Sequence, residues 1–479
     1  MINSKKRNIN IILPIFLSFI GFFLLCLYIK NASSDIIYSD YIRLTNSYLD
    51  NVYDINKLFT LDLLTRSPIC YLFRIINVIL FSYSVNFDRV VLVFFLSLFY
   101  FIIAKYILRE KNNIIKYFIL LATFLIIFSL CQWEMILNGS GYAHYIAYFL
   151  FILYFYYANK YCNNINLIKS TDETISISFI LSFVILPIFN IIFVAGPYSA
   201  TFVVVAIILN IYIYLVSNKN IIHKKKLLIS QISIIIPFIL YLISNHFAIY
   251  EHSGMKNITL FELFKTNPTY IFTFLIKSVA SSAIGIETFN SYFGEIKNNN
   301  FILYLIGILI AIFFIISFII LLKKLFNKNN NFKEKNHITK NIFPICLIIM
   351  GFGNFLIVFL GRFPFLNDTY GMQSRYYLQY MIGIIGLLLF FYENKKTLFF
   401  VILSVIILIP NVITTSDEIK KAKFREISYE NIANNAKNIE NLQDEDLPII
   451  FEYNHDPKLI RDAFNIIKEK KYNIYKNIN

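Results

Sequence analysis

Charge is scarce in this chain. Of 479 residues, 15% are charged and 57% are hydrophobic, and the mean hydropathy is +0.61. That balance excludes an ordinary water-facing protein of this length. Cysteine is also rare: Cys26, Cys70, Cys131, Cys162 and Cys346 are scattered with no CxxC pair. Neither a disulfide framework nor a zinc site is therefore indicated, and a thiol in an apolar run behaves as a small hydrophobe. Tryptophan occurs once, at Trp133. No soluble catalytic domain leads the chain, and no internal repeat of the sort common in transporters is visible.

Apolar runs are what the chain has in plenty. About eleven are long enough to cross ~30 Å of hydrocarbon. Spans are expected near 11–29, 89–108, 115–131, 142–158, 176–194, 198–216, 227–245, 301–322, 341–361, 376–392 and 397–415. The net charge of +15 invites a nucleic-acid reading, but the Lys and Arg residues cluster in alternate short connections. Lys5-Lys6-Arg7, Lys224-Lys225-Lys226, Lys323 to Lys340 and Lys395-Lys396 mark one side of a bilayer, which is the positive-inside pattern and leaves no role for nucleic acid. The pattern predicts a multi-pass protein of the cell (cytoplasmic) membrane with its N-terminus cytoplasmic and its C-terminus extracytoplasmic. The first run has no small-residue cleavage pattern after it and reads as a retained anchor.

The expected fold is an all-α polytopic membrane protein. Residues 1–415 form its transmembrane domain, with a long first outer loop at 30–88 and another large outer loop at 245–300. In the latter, 268–285 reads as a re-entrant or interfacial helix, because Lys277 sits in its middle and a full span there would move the Lys323 to Lys340 cluster outside. Residues 416–479 read as a small extracytoplasmic α/β tail. Its strand signal is "LPIIFEY", followed by a helix with Asp456 as cap and Pro457 at its first position.

Ionisable groups recur at the outer edges of the apolar runs. The first loop carries Asp35, Asp40, Arg43 and Arg66; a short second segment, "CQWEMILNGSGYAHY", carries Trp133, Glu134 and His144. The third outer segment carries Glu251 and His252, adjacent residues that seldom point at one target and read as a solvated loop. The fourth, "RFPFLNDTYGMQSRYY", carries Arg362, Asp368 and Arg375. Charges at the edge of hydrocarbon are costly unless paired or serving a polar cavity, so snorkelling or helix-pinning ion pairs compete with a functional reading. For Trp133 the competing role is an interfacial aromatic anchor. Arginine binds phosphate oxygens in a planar, two-pronged manner, which suits Arg375, joined by Arg362, Arg43 and Arg66, to a phosphate whose lipid tail lies in the bilayer. A carboxylate such as Asp40 or Asp35 then serves as general base on an acceptor hydroxyl, or holds a divalent cation against the phosphate.

A resemblance accompanies these residues. "CQWEMILNGSGYAHYIAYFLF" looks like the Gln-Trp-Glu-Asn-type segment that opens a span in a broad set of uncharacterised bacterial polytopic proteins. "FLGRFPFLNDTYGMQSRYYLQYMIGIIGLLLF" resembles their Gly-Arg … Ser-Arg-Tyr segment. "LLTRSPICYLFRIINVILF" is similar to their His-Arg stretch, with Thr65 where His is usual. Those proteins in turn resemble the GT-C class of glycosyltransferases, over roughly residues 10 to 415. The resemblance implies a sugar donated from a polyprenyl phosphate, an acceptor on a glycan, lipid or protein, and an acidic first-loop residue, here Asp40 or Asp35, as base or metal ligand. The spacing "DIIYSD" contains no Asp-Asp or Asp-x-Asp pair, so no divalent cation is indicated. The rival readings are a transporter or flippase of lipid-linked oligosaccharide and an O-antigen-type polymerase. The first usually concentrates polar residues at mid-membrane and the second places catalytic arginines in a long late outer loop, whereas here the charges stand at the outer boundary and the late loop is short.

Overall fold

The structure, a computed structural model, describes residues 2–59, 68–109, 114–165, 177–216, 221–246, 255–326 and 342–476. Among the described residues every regular element is a helix. In chain order these are α1 (Ile2–Ala32), α2 (Asp40–Tyr48), α3 (Pro68–Phe81), α4 (Val85–Ile107), α5 (Ile114–Ile127), α6 (Trp133–Asn138) and α7 (Tyr142–Ile165). They continue with α8 (Ile177–Ala195), α9 (Ser199–Val216), α10 (Ile221–His246), α11 (Leu260–Thr266), α12 (Pro268–Ser281), α13 (Ile286–Phe293) and α14 (Ile296–Phe326). The last are α15 (Ile342–Arg362), α16 (Tyr377–Glu393), α17 (Thr397–Lys437), α18 (Leu447–Ile450) and α19 (Pro457–Glu469).

Nine helices of the described residues are long and apolar enough to cross a membrane, or ten if one bent pair counts as a span. This is a multi-pass membrane protein. Two of the expected spans fall short of that measure for different reasons. Helix α7 is long, but its repeated tyrosines lower its apolarity, and Ser199–Tyr214 in α9 is apolar but short. Both are nevertheless packed into the bundle, with Tyr148, Phe151, Tyr154 and Phe202 buried and their rings in contact.

The bent pair is the segment expected to be re-entrant. Helices α12 and α13 meet at 92° across a short break. A break in hydrocarbon strands carbonyls that a helix would otherwise satisfy. Asn411 of α17, 1% exposed, supplies the missing donors: its Nδ2 bonds the carbonyls of Ser282 at 3.3 Å and Ala283 at 2.9 Å. Its Oδ1 accepts from the Tyr377 hydroxyl at 2.5 Å, so the bend, α16 and α17 are locked together. Helices α15 and α16 approach closely at Gly351 and Gly383, where a methyl on Gly351 would stand 2.2 Å from the Gly383 Cα. Small residues permit such backbone contact in a membrane bundle.

The tail differs from the expected α/β unit. "LPIIFEY" forms helix α18, not a strand: Pro448 at its start fixes a helical φ, and Phe451 N bonds Leu447 O at 3.0 Å within the same turn. Nor is there a break near 415, since α17 runs unbroken for 41 residues from the membrane segment into the polar stretch. Helix α19 starts as its sequence predicts, with Asp456 accepting from Lys458 N at 2.9 Å and Pro457 in the first turn. It buries Ile460, Ala463, Phe464 and Ile467, the i, i+3, i+4, i+7 stripe of an amphipathic helix. The large apolar side chains of that stripe each contribute about 1.5–3 kcal/mol on burial. The partner surface is the first loop: Asn46 Nδ2 donates to Leu459 O at 2.8 Å, and Asn473 N to Ser82 O at 2.8 Å.

Candidate functional site

The first loop is held by buried charge. Asp88 in the first turn of α4 and Arg74 in α3 are 0% and 1% exposed and meet at 2.8 Å. Tyr41 OH and Asn77 Nδ2 complete the carboxylate's shell at 2.9 and 3.1 Å. Beside them Arg89, also fully buried, donates to the carbonyls of Leu137 at 2.5 Å and Ser34 at 2.9 Å and lies over the Tyr429 ring. These contacts bind α2, α3, α4, α6 and α17 into one support, and sequence reading assigned them no part. Their signal was present in "NFDRVV": a carboxylate and an arginine at the mouth of an apolar run.

Asp35 belongs to this support. Its Oδ1 accepts from Val85 N at 2.6 Å and Asn86 N at 3.2 Å, and its Oδ2 from Ser84 Oγ at 2.8 Å. Those are the donors left bare at the start of α4, so Asp35 caps a helix distant in sequence. Both of its oxygens are engaged.

Asp40 is placed differently. It opens α2 with its side chain 47% exposed and 3.7 Å from Arg43 Nη2. The preceding Ser39 has φ 50° and ψ −126°, a conformation costing about 1–3 kcal/mol that persists only where surroundings impose it. What imposes it is the tail, because Ser39 N donates to Phe451 O at 2.8 Å. Asp40 is close enough to Arg375, Tyr198 and His144 for their charges to interact.

Arg375 stands in the turn before α16, with its side chain 40% exposed. It donates through Nη2 to Glu134 Oε1, and Ser374 Oγ accepts from Glu134 N at 3.2 Å, so the two segments are joined twice. The Arg375 Nε is buried and without a hydrogen-bond partner. Arg362, at the end of α15, donates Nε to Tyr376 OH at 2.5 Å and lies against the rings of Phe365, Tyr370 and Tyr376. Both arginines act electrostatically on Tyr376 and on Tyr198. Tyr198 in turn packs on His144 with ring centroids 4.0 Å apart.

The structure thus brings Asp40, Arg43, Glu134, Arg362 and Arg375 to one end of the bundle from three separate segments of the chain. Asp368 is not among them: it pairs with Lys277, 3% exposed, at 2.7 Å beside the bent pair. Trp133 shares α6 with Glu134, but its ring lies under the Arg425 guanidinium at 3.3 Å, so a cation from α17 covers it. Arg66, Glu251 and His252 lie outside the described residues.

Glu452 and Tyr453, on the turn after α18, complete the neighbourhood. Tyr453 is buried within reach of Asp40 and Arg43, and Glu452 lies within reach of Glu134 and Arg425. Glu452 as a residue is exposed, yet its carboxyl is crowded by surrounding atoms; that crowding first, and then the charge on Glu134, pushes its pKa above the usual carboxylate range. No signal in the sequence tied this turn to Asp40.

A divalent cation does not fit the donors present. Asp35 is consumed by the α4 cap, Glu134 is engaged by Arg375, and Asp40 faces guanidinium groups. Among the described residues no three His, Cys, Asp or Glu side chains converge as a metal site.

No family model, curated protein or solved structure matches this chain.

Proposed function

We propose that the protein is a GT-C-like glycosyltransferase that moves a sugar from a polyprenyl phosphate to a hydroxyl on a glycan, lipid or protein. Transfer takes place at the outer face of the cytoplasmic membrane, with the N-terminus inside and the tail outside. The observation that carries this reading is that a partly exposed carboxylate, Asp40, and a partly exposed arginine, Arg375, lie within electrostatic reach of each other at the end of a membrane bundle. The charges that hold the first loop, Arg74 and Asp88, are buried; the side chains of Asp40 and Arg375 are partly exposed.

The chemistry follows from the charges. The acceptor oxygen attacks the anomeric carbon as the bond from that carbon to the phosphate oxygen breaks, and the phosphate leaves with the electron pair. Configuration inverts. Asp40 takes the acceptor's proton, and Arg375 and Arg362 stabilise the charge gathering on the phosphate. Glu134 orients Arg375, whose remaining donors face the lipid phosphate. Arg43, 3.7 Å from Asp40, helps to orient its carboxylate.

Substitution separates these roles. In nanodiscs, Arg375→Ala weakens binding of a polyprenyl-phosphate sugar by about 10- to 100-fold, the loss of one or two charge-assisted hydrogen bonds. Asp40→Asn keeps that binding and lowers kcat by about 10²- to 10⁴-fold, the usual contribution of a general base. Binding indifferent to Arg375, or absent for every lipid-phosphate sugar, rejects the reading. One observation favours a transporter or flippase instead: the bent α12–α13 pair carries a buried lysine. That lysine is neutralised by Asp368 at 2.7 Å, which leaves a pinned helix and no charge for a pathway.

A further inference from the structure

The charged groups of the site form a continuous series. Moving through neighbouring groups, Arg362 meets Tyr376 and Tyr198, these meet Arg375, Arg375 meets Glu134 and Asp40, and beyond them stand Glu452 and Tyr453 of the tail. Arg362 stands at one end of this series and Glu452 at the other, with Arg43 beside Asp40 and Arg425 within reach of Glu452. A displacement that expels an anion and consumes a hydroxyl needs both kinds of group. The leaving phosphate needs cations, and the incoming hydroxyls need acceptors of hydrogen bonds.

Glu452 is unlike the other carboxylates of the cluster. Glu134 is held by Arg375, Asp40 stands beside Arg43, and Glu418 is held by Arg425. Among the described residues the Glu452 side chain makes no hydrogen bond. Its backbone is nevertheless fixed: φ is 51°, in the left-handed region that a side chain disfavours, and the preceding Phe451 carbonyl accepts from Ser39 N, next to Asp40. The backbone beside a second acidic residue is therefore tied to the backbone beside the first by one bond between the tail and the start of α2.

Building on the glycosyltransferase reading, we propose that the tail turn is the acceptor side of the site and that Glu452 positions the acceptor by accepting hydrogen bonds from its hydroxyls. The acceptor this selects is polyhydroxylated, a glycan in place of an isolated serine or threonine hydroxyl. It enters between Glu452 and Asp40, on the flank opposite Arg362. Glu452 is a positioning residue; the proton still goes to Asp40.

The test uses full-length protein in nanodiscs with a polyprenyl-phosphate hexose as donor and fluorescent-tagged N-acetylhexosamine oligosaccharides as acceptors. Glu452→Gln raises the acceptor KM on the order of tenfold, one charge-assisted hydrogen bond, with donor KM and donor binding unchanged. Glu452→Asp recovers part of the loss. The pH profile supplies a readout that a merely structural role does not move. As pH falls and Glu452 takes a proton, the wild-type acceptor KM rises toward the Gln value, while that of Glu452→Gln stays flat over the same range. An equal rise in donor KM, a fall in kcat alone, or a Gln variant that keeps the wild-type pH profile overturns the inference and leaves the glycosyltransferase reading standing. A wild type that transfers sugar to none of these acceptors, or only to a lone serine or threonine peptide, overturns the glycan acceptor. Failure to bind any lipid-phosphate sugar removes both.

Discussion

Two aspartates five residues apart have opposite fates, and their burial and partners show why. Asp35 spends both oxygens on the bare donors at the start of α4, whereas Asp40 keeps its carboxylate open beside guanidinium groups. Read as sequence, "DIIYSD" offers two equal candidates, because nothing local reveals that Asp35 meets Ser84 and Val85. Asp35→Ala is thus expected to cost about 0.5–2 kcal/mol of stability, the range for losing a helix cap. Donor binding per folded molecule should persist. Thermal unfolding and binding measured on the same preparation check this; loss of binding at unchanged Tm would return Asp35 to the reacting groups. The arginines were legible for a general reason: a cation at the mouth of an apolar run is costly, so its presence is informative wherever it occurs. What the spacing concealed was the pairing of Arg375 with Glu134 across the whole membrane domain, a contact that only the packing of α6 against the turn before α16 creates.

Among the elements, the bent pair depends most on a single side chain. Its hydrophobic pattern predicted a helix that does not simply cross, and Lys277 marked the difficulty, but the amide that satisfies the bend lies more than a hundred residues away in α17. Asn411→Leu fills similar volume while taking the amide donor from the Ser282 and Ala283 carbonyls. A buried unsatisfied polar group costs about 1–3 kcal/mol, and here more than one is affected. A fall in Tm of several degrees for purified Asn411→Leu is expected, with Asn411→Asp less tolerated than Asn411→Gln because the new charge faces carbonyl oxygens. Unchanged stability in the Leu variant would show that the bend is held by packing alone. The tail differs from expectation at this same scale: an apolar stretch as short as "LPIIFEY" fits strand and helix equally, and the proline at its start decides for helix.

For the whole molecule, chain direction and charge combine into a prediction of orientation. The turn Asn394–Lys396 lies between α16 and α17, at the end of the bundle where Arg109 pairs with Glu393 at 3.0 Å, whereas the tail and the Asp40 cluster occupy the other end. These two ends stay opposite however many helices are counted, because α17 joins one to the other. Lys395 and Lys396 stand at the first end, and the positive-inside rule predicts that this end faces the cytoplasm. Single cysteines placed at exposed Lys395 and Asp444, in a chain whose five native cysteines are replaced, make this measurable in intact cells. An impermeant maleimide is expected to label Asp444→Cys directly and Lys395→Cys only after permeabilisation. The reverse pattern would put Asp40 and Arg375 in the cytoplasm, where nucleotide sugars are at hand. A polyprenyl-phosphate donor would then have no advantage, and the site would have to be read again from its charges alone. Equal labelling of both positions without permeabilisation would contradict the span formed by α17 itself. Orientation therefore constrains the donor more tightly than any single residue in the site.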